Sequence, residues 1–187
     1  MASIKSLPVG YRRALQLDLQ TDKKLRFNIA LAASLICLFM GLYGNSISPI
    51  VRYFRGSFNQ IAYAFLGIIL YMILHELIHG FFMWVFGGEP ARFGLSMPFT
   101  FARSQIYFNK FQYSIIALAP VLIWGLVLLG LCSHYLKTDW FWTFYFVQIV
   151  NLSGAASDIY VVFKFWNLPS KALIQDTGTA IAVYITG

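Results

Sequence analysis

Four long apolar stretches dominate the pattern of hydrophobic and polar positions along the chain. They cover residues 27–43, 58–86, 113–136 and 140–165, with shorter polar segments between them. A membrane span needs roughly 20 apolar residues and lipid excludes open strand edges, so each stretch predicts a transmembrane helix. The second and fourth stretches exceed that length and are expected to tilt or protrude. Only residues 137–139 join the third and fourth stretches, which predicts an antiparallel pair.

Composition turns this pattern into a fold class. Hydrophobic residues make up 59% of the 187 positions and charged residues only 11%, against about 25% charged in an ordinary soluble domain. An aromatic content of 18% excludes a disordered chain. Cys37 and Cys132 both lie in apolar runs, which excludes a secreted disulfide framework. We therefore expect an all-α integral membrane protein with four transmembrane helices in one membrane domain over residues 1–187.

Positive charges are distributed unevenly between the two sides of this predicted domain. Six Lys and Arg residues lie in a basic arm over 1–26, three in the loop over 87–112 and two near the end, whereas the opposite side holds three. The positive-inside rule then places both termini and the tail over 166–187 in the cytoplasm. The arm is expected to lie on the membrane surface beside anionic lipid. The net charge of +7 therefore needs no nucleic-acid partner.

Two acidic residues lie inside predicted spans, and both are candidates for chemistry. An ionisable side chain at bilayer depth costs about 2.5–3.5 kcal/mol, so Glu76 and Asp158 need a functional explanation. Glu76 lies in an H-E-x-x-H sequence between His75 and His79. Histidines four apart share one helix face and can occupy adjacent corners of a zinc tetrahedron, while the Glu beside them can deprotonate a zinc-bound water. The alternative is a polar cluster that packs helices, with His and Glu satisfying one another.

A zinc site of this kind needs a third protein ligand, and depth in the membrane favours Asp158. The metzincin pattern does not apply because its third histidine is missing. Glu89 lies in a Gly-Gly-Glu-Pro sequence, which is typical of a turn. His79 and Asp158 both lie about 9–12 Å before the predicted cytoplasmic ends of their spans. Small residues at 153–157 allow close helix approach. Asn151 shares the face of Asp158, where it either orients a ligand or substrate or makes an interhelical hydrogen bond.

These residues resemble the site-2 protease group of intramembrane zinc metalloproteases, in which an H-E-x-x-H span is followed by an intramembrane Asp. The chain length, the four spans and the sequence His-Glu-Leu-Ile-His-Gly also resemble the putative zincin peptidase family of small bacterial membrane proteins. The resemblance implies one Zn²⁺ held by His75, His79 and Asp158, with Glu76 as the catalytic base. It also implies a bacterial cytoplasmic membrane as the location.

The resemblance covers roughly residues 58–165 and includes departures. Pro120, preceded by Ala119, matches a small-residue-Pro motif of site-2 proteases. The ligand-helix pattern of site-2 proteases is Asn-x-x-Pro followed by an Asp-Gly pair. Here Asn151 and Gly154 hold its first two positions, but the Asp comes one residue earlier and is followed by Ile159.

The loop over 87–112 and the tail are the remaining informative segments. The loop is too apolar to be free, so we expect it to be partly membrane-associated: it re-enters the membrane, forms a short hairpin over the site, or packs on the helix ends. An exposed strand edge there could bind an extended peptide. In the tail, Asp176 begins an Asp-Thr-Gly turn and is a further candidate near the site.

The leading hypothesis is a zinc endopeptidase that cuts a membrane protein or peptide within or beside the bilayer. A membrane protein that keeps a zinc site without proteolysis and a small transporter are the alternatives. Transport would need polar residues along several spans, and the first and third have almost none. Haem binding is disfavoured because histidines four apart on one helix cannot take opposite axial positions.

Overall fold

The computed structural model describes residues 4–18, 21–55, 58–96, 99–178 and 180–187. Over these ranges the chain forms helices and short strands. The helices are α1 (Lys23–Ile47), α2 (Ile50–Arg55), α3 (Phe58–Gly87), α4 (Lys110–His134), α5 (Trp140–Gly154) and α6 (Ala156–Phe165). The strands are β1 (Tyr11–Asp18), β2 (Arg92–Ser96), β3 (Phe99–Arg103), β4 (Phe108–Asn109), β5 (Leu173–Asp176) and β6 (Ala180–Thr186).

Four helical segments are long and apolar enough to cross a membrane, in agreement with the hydrophobic pattern. They are Lys23–Ile47, Asn59–Gly87, Lys110–His134 and Trp140–Phe165. These segments fit a multi-pass membrane protein.

Capping explains why two helices begin earlier than the apolar pattern predicts. At the start of α1, the Asp22 carboxylate accepts a hydrogen bond of 2.9 Å from the N–H of Leu25. At the start of α4, Asn109 and Gln112 form a reciprocal capping box, with bonds of 3.0 and 2.9 Å between each side chain and the other's backbone N–H. Polar residues that cannot extend a membrane span therefore extend the helix by satisfying its first N–H groups.

The fourth apolar stretch is broken rather than continuous. Ala155 separates α5 from α6, and its backbone angles of φ −74° and ψ 1° depart from the helical ψ of about −42°. Its side chain is fully buried. The break falls in the run of small residues and places Asp158 in the first turn of α6.

The expectation of an all-α protein is wrong, because the polar segments contain antiparallel strands. One sheet has the strand order β1-β6-β5-β4. The basic arm forms β1, which pairs with β6 from Tyr11 opposite Thr186 to Asp18 opposite Ala180; its position on the membrane surface stays a prediction. Leu17 is buried. An alternation of only a few residues in a basic segment is a weak signal, and its pairing partner lies at the other end of the chain.

The loop over 87–112 contains a second, two-stranded sheet. β2 and β3 pair from Arg92 opposite Arg103 to Ser96 opposite Phe99. Of the alternatives expected for this loop, the short hairpin is therefore the one that forms. Membrane association of the loop stays a prediction.

Two compact units make up the chain. One consists of Met1–Asn28, Glu76–Pro120 and Asp158–Gly187, and both sheets belong to it. Its buried core includes Phe108, Ile116, Ile174 and Val183. The other consists of Ile29–His75 and Val121–Ser157. It contains a hydrophobic cluster of five buried residues, four of them aromatic, namely Tyr53, Cys132, Phe141, Trp142 and Tyr145.

Candidate metal centre

The H-E-x-x-H sequence lies on one unbroken helix, α3. His75 and His79 are therefore one turn apart on the same face, as the spacing predicts. His79 is buried, with 9% of its surface exposed.

Asp158 of α6 stands beside His79. Its Oδ2 atom lies 3.8 Å from His79 Nε2. Among the described residues, one ligand atom from each of His75, His79 and Asp158 lies within 4.8 Å of the others, so the three could hold a metal ion. Two imidazoles and a carboxylate leave the fourth position of a tetrahedral site open, as in catalytic zinc sites.

His79 is oriented by a backbone carbonyl. Its Nδ1 atom lies 2.8 Å from the carbonyl oxygen of Ile116 in α4. A carbonyl oxygen only accepts hydrogen bonds, so the neutral imidazole carries its proton on Nδ1. The Nε2 lone pair then faces Asp158 and is available to a metal ion.

His75 is oriented through a chain of side chains. Asn151 Nδ2 donates to the carbonyl of Val121 at 3.3 Å, which leaves Asn151 Oδ1 to accept the hydroxyl of Tyr71 at 3.1 Å. Because the Tyr71 hydroxyl donates its only proton to Asn151, its oxygen accepts a hydrogen bond from His75 Nδ1, at 2.8 Å. His75 is thereby also an imidazole with its proton on Nδ1 and the unprotonated nitrogen at Nε2.

Asn151 is not one of the three candidate ligands, but it is hydrogen-bonded to a residue that contacts one of them. The side chain is fully buried and links α5 to α4 and α3. Of the two interpretations left open for it, the interhelical hydrogen bond is observed; a role in orienting a metal ligand or a substrate stays a prediction. Tyr71 was missed by sequence reasoning, although its position four residues before His75 is a usable signal.

Glu76 is not one of the three grouped residues, and it lies beneath the hairpin. Its carboxylate accepts a hydrogen bond from the backbone N–H of Ala102 in β3. Sequence reasoning gave no indication of Ala102, because a backbone donor has no side-chain signal.

Two glycines allow the hairpin to lie close to its neighbours. A Cβ atom at Gly80, directly after His79, would overlap the ring of Phe93 in β2. A Cβ atom at Gly178 would overlap the ring of Phe101 in β3, and Gly178 has a positive φ of 89°. The backbone N–H of Ser104 also donates to the carbonyl of Asp176 at 3.0 Å. These contacts hold the hairpin that carries Ala102 close to α3 and to the tail.

Asp176, in the tail, is held in place by two hydrogen bonds. Its carboxylate accepts hydrogen bonds from the Tyr113 hydroxyl at 2.6 Å and from the Gly178 N–H at 2.8 Å. Burial raises the pKa of Asp176, and these hydrogen bonds partly oppose the rise. Asp176 does not belong to the metal-binding group. Glu89, expected in a turn, pairs with Lys5 at 2.6 Å.

The fold and the site define a class, a multi-pass membrane protein with a His/His/Asp group that could hold a metal ion beside a glutamate. Comparison with protein families agrees with this class. The family model described as putative zincin peptidase matches residues 68–173, which is more than half of the chain. The protein belongs to that family, which suggests a zinc metallopeptidase. A search of curated proteins and a search of solved structures each found no match.

Proposed function

We propose that the protein is a zinc-dependent endopeptidase related to the site-2 proteases, cutting peptide bonds within or beside the membrane. The observation that carries the proposal is the geometry around His79. Its Nε2 atom faces Asp158 at 3.8 Å, and its Nδ1 proton is bound to a carbonyl. Family membership supports the same chemistry.

In this proposal His75, His79 and Asp158 hold one Zn²⁺. Zinc at that position supplies a Lewis acid that polarises a peptide carbonyl and lowers the pKa of water. Glu76 takes the proton from the attacking water and delivers it to the leaving amine. The Ala102 N–H holds the Glu76 carboxylate in one orientation, so the base is positioned before the substrate arrives.

The proposed substrate is a membrane protein or membrane-bound peptide with an extended segment at the hairpin. A helix hides its carbonyls in internal hydrogen bonds, so the segment must unwind before attack. The free edge of a strand can bind such a segment by strand addition. We place the protein in a bacterial cytoplasmic membrane with both termini in the cytoplasm. A reporter that is active only in the cytoplasm should then be active when it is fused after Gly187, and a reporter that is active only outside should be inactive there.

The test compares Glu76→Gln with Glu89→Gln. Both replace an acid by its amide, but only Glu76 stands beside the candidate ligands, whereas Glu89 pairs with Lys5. With zinc content measured on the same samples, Glu76→Gln should lower cleavage of membrane peptides in liposomes by about 10²–10⁴-fold. Glu89→Gln should cleave like the wild type.

Equal cleavage by wild type and Glu76→Gln would contradict the mechanism. A wild-type protein that binds zinc but cleaves none of a broad set of membrane peptides would favour the alternative, a membrane protein with a zinc site and no protease activity.

A further inference from the structure

Pro120 lies inside α4, where a proline is costly. It has no N–H, so the helix lacks the hydrogen bond that residue 120 would donate to the carbonyl of residue 116. Its ring also crowds that carbonyl and pushes it away from the helix axis. Pro120 is fully buried, so water does not compensate for the missing bond. The expected consequence is one carbonyl without its helical partner, that of Ile116.

The Ile116 carbonyl is the one that binds His79. Its oxygen accepts the Nδ1 proton at 2.8 Å, and Ile116 itself is 1% exposed. In an uninterrupted helix this oxygen would already accept the N–H four residues later, and the imidazole would have to share it. The proline leaves the oxygen to His79, and His79 satisfies a buried acceptor that would otherwise lack a hydrogen bond.

We propose that Pro120 is a positioning residue for His79. By omitting one backbone N–H, it frees the Ile116 carbonyl to hold His79 as the Nδ1–H imidazole, with Nε2 directed to Asp158. The consequence for metal binding rests on the proposed function. The effect on the imidazole proton does not, because it concerns the metal-free protein.

A matched pair of substitutions separates the missing N–H from the shape of the ring. Pro120→Ala restores the N–H. Pro120→lactic acid, the α-hydroxy counterpart of alanine introduced by nonsense suppression, has the same side chain and an ester oxygen in place of the N–H. Both are made in the full chain, with zinc affinity measured by competition with a chelating dye.

Pro120→Ala should bind zinc about 10–100-fold more weakly than the wild type, the range found for partners that orient metal ligands. Pro120→lactic acid should bind like the wild type. Wild-type affinity in Pro120→Ala would overturn the inference, and so would an equal loss in both variants, because the ring would then be the cause. If Pro120→Ala does not fold, the lactic acid variant decides alone, by wild-type affinity or its loss.

Nitrogen-15 NMR of the imidazoles gives a readout without metal. In the metal-free wild type, His79 should carry its proton on Nδ1, and in Pro120→Ala this single form should be lost. A proton on Nε2 in the wild type would overturn the inference. A wild type that shows the expected imidazole but binds no zinc would instead count against the proposed function, so the two failures are distinguishable.

Discussion

His79 and His75 stand one helical turn apart, yet different kinds of partner hold their Nδ1 atoms. His79 donates directly to a backbone carbonyl, that of Ile116. His75 reaches a carbonyl, that of Val121, only through Tyr71 and Asn151. Both arrangements end on an acceptor that carries no proton, so both histidines have the same tautomer.

The difference lies in what can disturb each support. A substitution of Ile116 changes its side chain but leaves its backbone carbonyl in place. Mutation therefore disturbs the hydrogen bond of His79 mainly by introducing, at position 120, a backbone N–H that competes for this carbonyl. The support of His75 consists of two side chains, each of which a single substitution removes. The two histidines should therefore respond to different substitutions while losing the same metal.

The largest expected effect is removal of the imidazoles themselves. His75→Ala and His79→Ala should each lower zinc content from about one ion per chain to background, since two remaining ligands cannot complete a site. Asp158→Ala should do the same. Elemental analysis of purified protein measures this, and His134→Ala, at the end of α4, is the control that should keep its zinc. Full zinc in Asp158→Ala, with loss in Glu89→Ala, would show that the third ligand is Glu89.

A smaller effect is expected from the side-chain support of His75. Tyr71→Phe removes the hydroxyl that fixes the imidazole and should weaken zinc binding by about 10–100-fold. Asn151→Leu should act through the same chain, so the double variant should lose little more than either single one. Tyr63→Phe, on the same helix with a ring that stacks on Trp140, is the control. Additive losses at Tyr71 and Asn151 would show that they act separately.

A third effect should spare both histidines and act on the base. Gly80→Ala places a methyl group where the ring of Phe93 lies and so moves the hairpin that contacts Glu76. A misplacement of 1 Å costs up to about 10²-fold in rate, and because the Phe93 ring can shift, we expect about tenfold slower cleavage with zinc retained. Gly41→Ala, which meets open space, should leave cleavage unchanged. Unchanged cleavage in Gly80→Ala would show that the position of the hairpin does not affect catalysis.

The smallest expected effect is a change in pH dependence at Asp176. Burial raises its pKa in the folded protein, so the folded state binds this proton more tightly than the unfolded state. The associated stabilisation is complete below the unfolded pKa and is lost as the pH rises through the folded pKa. The stability of Asp176→Asn relative to the wild type should therefore be greatest at high pH. Thermal unfolding from pH 4 to 8 measures this, and a constant difference would contradict it.

Local pattern was sufficient for the four helices that are long and apolar enough to cross a membrane and for the motif on α3. A span is recognised from the apolar character of about 20 consecutive residues, without knowledge of a partner. The spacing of His75 and His79 likewise defines a shared face on any helix. For Asp158, depth and charge made a testable prediction, because intramembrane acids are few.

The four-stranded sheet could not be obtained in this way. β1 pairs with β6, from the opposite end of the chain, and short strands carry little signal until their partner is known. The break at Ala155 has the same character, since a run of small residues fits a close helix contact as well as an interruption.

The supports of the two histidines show most directly where local information ends. Pro120 and Asn151 could be singled out as candidates, but their roles depend on which acceptor each one frees or binds. The contact between Tyr71 and Asn151 joins residues 80 positions apart, and that between His79 and Ile116 joins residues 37 apart. Spacing along a helix selects the face that a side chain shares, whereas the carbonyl on which the hydrogen bonds of each histidine end belongs to another helix and is set by packing.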